Sequence, residues 1–353
     1  CTKLLCGTAT VSDVIRYQGS GQEVPARLLQ FSDINRPLVV WNMTNRCNLR
    51  CRYCMPEAGV ELKPHSEILS LEEIHRIIKV GTRVGIRKVR LTGGEPLVRR
   101  NLSRLVQMIR TIDLIDDVAI TTNGLLFPEM AGELKEAGLH RLNVSLDTMN
   151  PEKYSFITRN GSLKQALRAI ETALALEFHP VKINTVVMRG INDDEIMDFC
   201  RLAYNHRLHV RFIEFMPVGE LGFWSRDKVI TCDEIQEMIK REYRLSPWKL
   251  SRGNGPAKSY RLEGGQGSIG FISPMSNHFC HECNRLRLTA DGKLRGCLYD
   301  RTEIDLKQVL RQGGSDEEIL QLFIKAINLK PNEHKMGQTS WGSKNRKMYQ
   351  IGG

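Results

Sequence analysis

The chain has 353 residues, 41% hydrophobic and 26% charged, with a formal net charge of +11. That length and balance suit one large α/β barrel or two modest domains and exclude a disordered or fibrous chain. No apolar run approaches the ~18–20 residues that cross a bilayer, and no Lys/Arg block or nucleic-acid motif accompanies the basic charge, so a small polyanion is the expected ligand. The opening stretch CTKLLCGTATVSDVIRYQG is too polar for a signal-peptide core. It begins on Cys1 in place of Met, so the native start is expected upstream, and the expected location is cytoplasmic.

Residues 1–36 read as an irregular lead-in. From Pro37, PLVVWNMT predicts a strand, followed by a loop holding Cys47, Cys51 and Cys54. SLEEIHRIIKVGTRVG predicts a helix with Ser70 as N-cap, and Glu73 three residues on completes a capping-box spacing. KVRLTGG is a strand ending in two glycines, LSRLVQMIRTI a helix, DVAITTNG a strand, PEMAGELKEAG a helix and RLNVSLD a strand. The helices LKQALRAIETALAL and DDEIMDFCRLAYN precede the strands VKINTVVM and VRFIEFMP. Strands alternating with helices of roughly 10–15 residues predict βα units and a parallel sheet. Six units end near residue 217, short of the eight of a closed barrel, so a partial (βα)6 TIM-like barrel is expected over residues 37–217. TGGEP, TTNG, SLD and EFMP each end a strand, on the rim where such barrels carry active sites.

Past residue 217 the rhythm breaks. A Gly/Trp loop, a helix around TCDEIQEMIKRE and the Gly-rich GGQGSIGFISP lead to Cys280, Cys283 and Cys297. Residues 218–353 are expected to form an added region over the barrel mouth.

Ten cysteines without a secretion signal point to metals or redox chemistry instead of disulfides. Six form the two triplets, while Cys1, Cys6, Cys200 and Cys232 are scattered and read as small buried apolar groups. Cys47-x3-Cys51-x2-Cys54 places three thiolates in one loop. A [4Fe–4S] cluster normally takes four, so three leave one iron open. Zinc with a fourth ligand from elsewhere is the other reading, but zinc sites usually pair CxxC knuckles. The second triplet again supplies three thiolates. Between its members lies NRLRL, whose alternation points Arg285 and Arg287 to one face, where guanidinium forks suit phosphate or carboxylate.

With Tyr53 inside the first triplet and Gly93-Gly94-Glu95-Pro96 after the next strand, the chain resembles the radical S-adenosylmethionine (SAM) superfamily. The resemblance implies that SAM fills the open iron position, that an electron releases a 5′-deoxyadenosyl radical from it, and that Gly93, Gly94 and Glu95 hold its amino group. Over roughly residues 37–353, the segments CMPE, VRLTGGEPLVRR, TTNG, NVSLD, KINTVVMRGIND, RFIEFMPVGE, CNRLRL, KPNEHKM and the terminal IGG resemble the GTP 3′,8-cyclase (molybdenum cofactor biosynthesis protein A) family. That family converts GTP to (8S)-3′,8-cyclo-7,8-dihydroguanosine 5′-triphosphate by abstracting the ribose C3′ hydrogen.

The resemblance implies two [4Fe–4S] clusters, one on Cys47, Cys51 and Cys54, the other on Cys280, Cys283 and Cys297 with guanine at its open iron. By motif, Tyr53, Gly94, Ser145 and Met216 would contact SAM. Arg90, Thr121, Lys182, Arg285 and Arg287 would contact GTP, with Leu286 contributing backbone. Lys182 lies on a predicted strand and, buried there, needs an anionic partner. Arg285 and Arg287 are the expected catalytic side chains, together with Gly352 and Gly353, which resemble a tail that reaches the active site and is needed for turnover. The implied partners are GTP, an external electron donor and a downstream cyclic pyranopterin monophosphate synthase, with a homodimer as the assembly the family allows. Neither nucleic acid nor membrane is expected.

Two features depart from this pattern. The family's LRxSVTDRC carries an arginine that contacts the triphosphate, and VVWNMTNRC has Val40 there. The segment from GTATVSDVIRY to RPLVVWNMTNRCNLRC is more similar to radical SAM enzymes that modify haem precursors or peptides. That alternative stays open at this point, as does a zinc or iron–sulfur binding module without catalysis, although the retained GGEP, TTNG and SLD groups argue against the module.

Overall fold

The computed structural model describes residues 37–353 apart from 62, 221, 249–254, 335, 337–345 and 353. The lead-in over 1–36 with Cys1 and Cys6, and Gly353 of the tail, lie outside the described residues.

Six strands lie side by side in chain order and all parallel: β1 (Leu38–Asn42), β2 (Lys88–Thr92), β3 (Asp117–Thr122), β4 (Arg141–Ser145), β5 (Val181–Val187) and β6 (Leu208–Glu214). The helices between them are α1 (Leu71–Gly81), α2 (Leu102–Arg110), α3 (Phe127–Glu136), α4 (Pro151–Thr158), α5 (Leu163–Ala175) and α6 (Ile196–Asn205). α1 starts where its capping box predicts. Ser70 Oγ accepts from the Glu73 backbone N–H at 3.1 Å, and Glu73 Oε2 accepts from the Ser70 N–H at 2.7 Å.

Strand alternation sorts the two faces of the sheet. Val89, Leu91, Val118, Ile120, Leu142, Val144, Val210 and Phe212 join the core with Ile74, Ile77 and Ile78 of α1 and Leu105, Val106 and Ile109 of α2. The intervening positions hold Val40, Arg90, Thr121, Asn143, Lys182, Asn184 and Arg211. The barrel is therefore apolar outward against its helices and polar inward.

The region past residue 217 contributes α7 (Cys232–Lys240), β7 (Leu245–Pro247), β8 (Lys258–Leu262), β9 (Ser268–Ile272), β10 (Arg285–Leu288), β11 (Lys293–Arg295), β12 (Ile304–Asp305), α8 (Leu306–Arg311), α9 (Asp316–Asn328) and α10 (Met348–Ile351). Where the sequence suggests a cover, this region also continues the sheet. β9 pairs parallel with β6, and β10 pairs parallel with β1. The described residues thus form one mixed sheet in the order β12-β11-β10-β1-β2-β3-β4-β5-β6-β9-β8-β7, an open barrel extended at both edges. The glycines before and within β9 mark close approach to its neighbours, a use of glycine in strands that looks like loop composition. A Cβ on Gly267 would stand 2.1 Å from Leu208 O. No helix of the described residues is long and apolar enough to cross a membrane.

Candidate active site

The loop after β1 carries the first cysteine triplet, and the neighbouring rim loops hold it in shape. Arg50 N–H and Arg52 N–H donate to Thr158 O and Ile157 O at the end of α4, at 3.2 and 2.9 Å. Leu49 N–H donates to Cys47 Sγ at 3.3 Å. Asn123 of TTNG donates to Asn48 Oδ1 at 2.8 Å. Burial raises Cys47 to about 11 and Cys54 to about 12, and pushes Cys51 up as well; Cys47 adds to the rise at both Cys51 and Cys54. Three partly exposed thiols that resist ionisation alone suit a metal group that binds them as thiolates.

Gly93 and Gly94 are tied to this loop: Gly94 N–H donates to Thr44 O at 2.7 Å and Glu95 N–H to Arg46 O at 2.8 Å. A Cβ on Gly94 would stand 2.3 Å from Arg46 O, so only glycine lets the two loops meet. Glu95 is 1% exposed and accepts from Leu97 N–H, Thr122 Oγ1 and Asn123 N–H at 3.0, 2.7 and 2.8 Å. Burial outweighs these bonds and raises its carboxyl to about 7. Tyr53 donates its hydroxyl to Asp147 Oδ2 of SLD at 2.7 Å, and burial raises Asp147 to about 6. Ser145 ends β4, and Met216 lies just past β6.

The second triplet borders a cavity inside the barrel. Cys280, Cys283 and Cys297 line it together with Arg90, Arg211, Arg285, Arg287 and Lys330. Burial opposes ionisation of Cys283, but Arg285 and Lys330 overcome it and bring the thiol down to about 6. Among the described residues no three His, Cys, Asp or Glu side chains are gathered to hold a single metal ion. The three thiols and the arginines line one cavity.

Among the described residues, the basic side chains of this interior outnumber the carboxylates that face them. Burial first, and neighbouring cations second, lower Lys182 to about 5, Arg90 to about 9, and Arg211 and Arg287 to about 10. Asp117 is the carboxylate that faces Arg90 and Lys182, and it is already ion-paired with Arg141. Arg90 Nε and Asn184 Oδ1 are buried without a hydrogen-bond partner among the described residues. A buried cluster of basic groups short of carboxylate partners is poised for a polyanion.

The structure gathers Arg90, Arg285 and Arg287 of the expected GTP set on the cavity wall. Lys182 and Thr121 do not line it; Lys182 faces Arg90 and Arg211 from β5, and Thr121 accepts from Asn143 Nδ2 at 3.3 Å. Leu286 is fully buried in the core, on the opposite face of β10 from the two arginines. Val40 lies in register with Arg287 on one side and Arg90 on the other, so the missing arginine leaves an apolar gap between two cations.

The tail reaches the same place. Arg346 forks onto Asp291 and Glu303, Asn42 Nδ2 donates to Tyr349 O at 2.7 Å, and Arg287 donates to Gly352 O. Gly352 has φ +80°, and a Cβ there would meet Thr92 Cγ2 at 2.4 Å. Cys200 and Cys232 are buried away from both triplets.

Sequence reasoning missed Arg211, Asn184, Asp147 and Lys330. Arg211 was within reach, because VRFIEFMP alternates and places it in phase with cavity-lining Ile213. Lys330 opens the KPNEHKM segment that carries the family resemblance, but nothing local showed its role, since its partners come from the start of β10 and the turn after β11.

A model described as the Radical SAM superfamily matches residues 41–203, and one described as Molybdenum Cofactor Synthesis C matches residues 208–336. The GTP 3′,8-cyclase of Syntrophomonas wolfei is 59% identical to this chain over 88% of it and 96% of that protein. The GTP 3′,8-cyclase of Desulforamulus reducens is 51% identical over the same shares. Among solved structures, Streptococcus suis SuiB superposes with a TM-score of 0.56 at 14% identity, covering 85% of this chain and 71% of that one, which shows a shared fold.

Proposed function

The chain belongs to the GTP 3′,8-cyclase family, and from that premise we propose that it converts GTP to (8S)-3′,8-cyclo-7,8-dihydroguanosine 5′-triphosphate in molybdenum cofactor biosynthesis. The relatives favour this over the haem-pathway or peptide-modifying alternative. Cys47, Cys51 and Cys54 would hold a [4Fe–4S] cluster that, with SAM bound, would supply the radical chemistry for removing the ribose C3′ hydrogen.

In this reading Cys47, Cys51 and Cys54 hold the SAM cluster, and Tyr53, Gly93, Gly94, Glu95, Ser145 and Met216 hold SAM. Cys280, Cys283 and Cys297 hold a second cluster facing the substrate. Arg90, Thr121, Lys182, Arg285 and Arg287 take GTP, joined by Arg211, with the Leu286 backbone between the two strand arginines. Gly352 and Gly353 complete the site from the tail, and Arg287 orients Gly352 through its carbonyl. On family grounds the reading extends to an external electron donor, a downstream cyclic pyranopterin monophosphate synthase, a homodimer and the cytoplasm.

One observation carries the proposal: a set of basic side chains with few carboxylate partners shares its cavity with three thiols. A triphosphate would supply the missing charge, and Cys280, Cys283 and Cys297 would hold the cluster that takes the purine. The test is anaerobic incubation of reconstituted protein with SAM, dithionite and GTP, followed by mass analysis. Both 5′-deoxyadenosine and a cyclised GTP isomer are expected. Deoxyadenosine without a GTP-derived product would overturn the substrate and leave only radical SAM chemistry.

A further inference from the structure

Lys330 follows α9 and is 6% exposed. A buried ammonium is costly unless its charge and its three donors are satisfied. Lys330 Nζ donates to Cys283 Sγ at 3.4 Å, Arg285 O at 3.1 Å and Gly296 O at 2.5 Å. The sulfurs of Cys283 and Cys297 face it, as does the Arg285 guanidinium. Its acceptors come from both halves of the second triplet: Cys283 lies just before β10, Arg285 begins it, and Gly296 immediately precedes Cys297. Gly296 makes the contact possible, because a Cβ there would stand 3.2 Å from Lys330 Cα and 3.1 Å from Ala326 O.

Among the described residues the first triplet has no equivalent. The cation that acts on Cys47 is Arg50, whose guanidinium donates to Cys47 O at 2.7 Å and Leu49 O at 3.0 Å, not to a sulfur. The two thiol sets therefore sit in unlike fields, and among the described residues the second alone has a buried ammonium bonded to a ligand sulfur.

We propose that Lys330 is a positioning residue for the second cluster, joining the two ligand segments and raising the reduction potential of that cluster above that of the SAM-binding one. A positive charge and a hydrogen bond to a ligand sulfur both stabilise the reduced, more anionic form. The substrate-side cluster is then the easier of the two to reduce. This inference rests on the two-cluster reading given above.

The test uses the full-length chain, reconstituted anaerobically, with iron and sulfide quantified and a redox titration followed by electron paramagnetic resonance. Added SAM perturbs only the cluster it binds, and so assigns the signals. Wild type holding iron for one cluster alone would sink the two-cluster reading before any variant is made. With both clusters present, Lys330→Met should shift the second midpoint to more negative potential and leave the SAM cluster unmoved. Lys330→Arg, which keeps the charge, should hold the second midpoint near that of wild type. An unchanged second midpoint in fully loaded Lys330→Met overturns the proposal. If Lys330→Met loses the second cluster, recovery of that cluster in Lys330→Arg supports the charge role, and equal loss in both overturns it.

Discussion

Arg211 is the residue whose removal most directly tests the cation cluster, because it lines the cavity from β6 and belongs to neither the thiol triplets nor the tail. A hydrogen bond to a charged group is worth ~1.5–3 kcal/mol, and each 1.4 kcal/mol is tenfold. Arg211→Ala is accordingly expected to weaken GTP binding by about 10- to 100-fold in calorimetric titration, while uncoupled deoxyadenosine release from SAM stays near the wild-type level. Equal loss of both would remove Arg211 from the substrate set. Lys182 gives a pH signature. Burial, with Arg211, Arg141 and Arg90 beside it, lowers its ammonium from 10.5 to about 5. Between those values the unfolded chain holds a proton that the empty folded protein does not. This contribution to stability is therefore complete above 10.5, shrinks as pH falls through the window and is gone below about 5. A bound triphosphate returns the proton, so GTP binding near neutral pH takes up protons and weakens as pH rises. Titrations in two buffers of different ionisation enthalpy should show that uptake, and Lys182→Gln should reduce it; buffer-independent heats in the wild type would refute it.

At the scale of elements, strand register decides what a missing side chain does. Val40 stands between Arg90 on β2 and Arg287 on β10. Val40→Arg adds a third guanidinium to that row. Repulsion and crowding should lower the melting temperature of the empty protein by roughly 2–8 °C, and GTP should raise it by more than it does in wild type. If GTP has no larger effect on the variant, the triphosphate does not lie against β1. The tail is governed by backbone geometry. Gly352→Ala faces both φ +80° and the Thr92 contact at 2.4 Å. Product formation should fall by more than about 10-fold, with iron content unchanged; full turnover would mean that the tail's observed path is not required. The same scale shows how unevenly these elements could be read. The Ser70–Glu73 capping box announced α1 and where it starts. β9 stayed hidden because its glycines, needed for contact with β6, have the composition of a loop.

For the molecule as a whole, the sheet is continuous from β12 to β7, and strands from beyond residue 217 pair with both edges of the six-stranded barrel. The apo protein is expected to unfold in a single calorimetric transition with matching calorimetric and van't Hoff enthalpies; two resolved transitions would show that the added strands melt separately. The sequence by itself determined the βα alternation, the rim motifs and the two cysteine triplets, because each depends on residues within one short segment. The chemistry of an open iron could be argued from three thiols in a loop before any fold was known. Only the tertiary structure decided how those segments face one another. Arg90, Arg211 and Arg287 come from three strands distant in sequence, and their shortage of carboxylate partners became visible only once burial was known. Lys330 beside Cys283, and Gly352 beside Arg287, are likewise meetings of chain segments far apart. Such contacts arise from packing the whole sheet and its edges, a long-range property that no local spacing encodes.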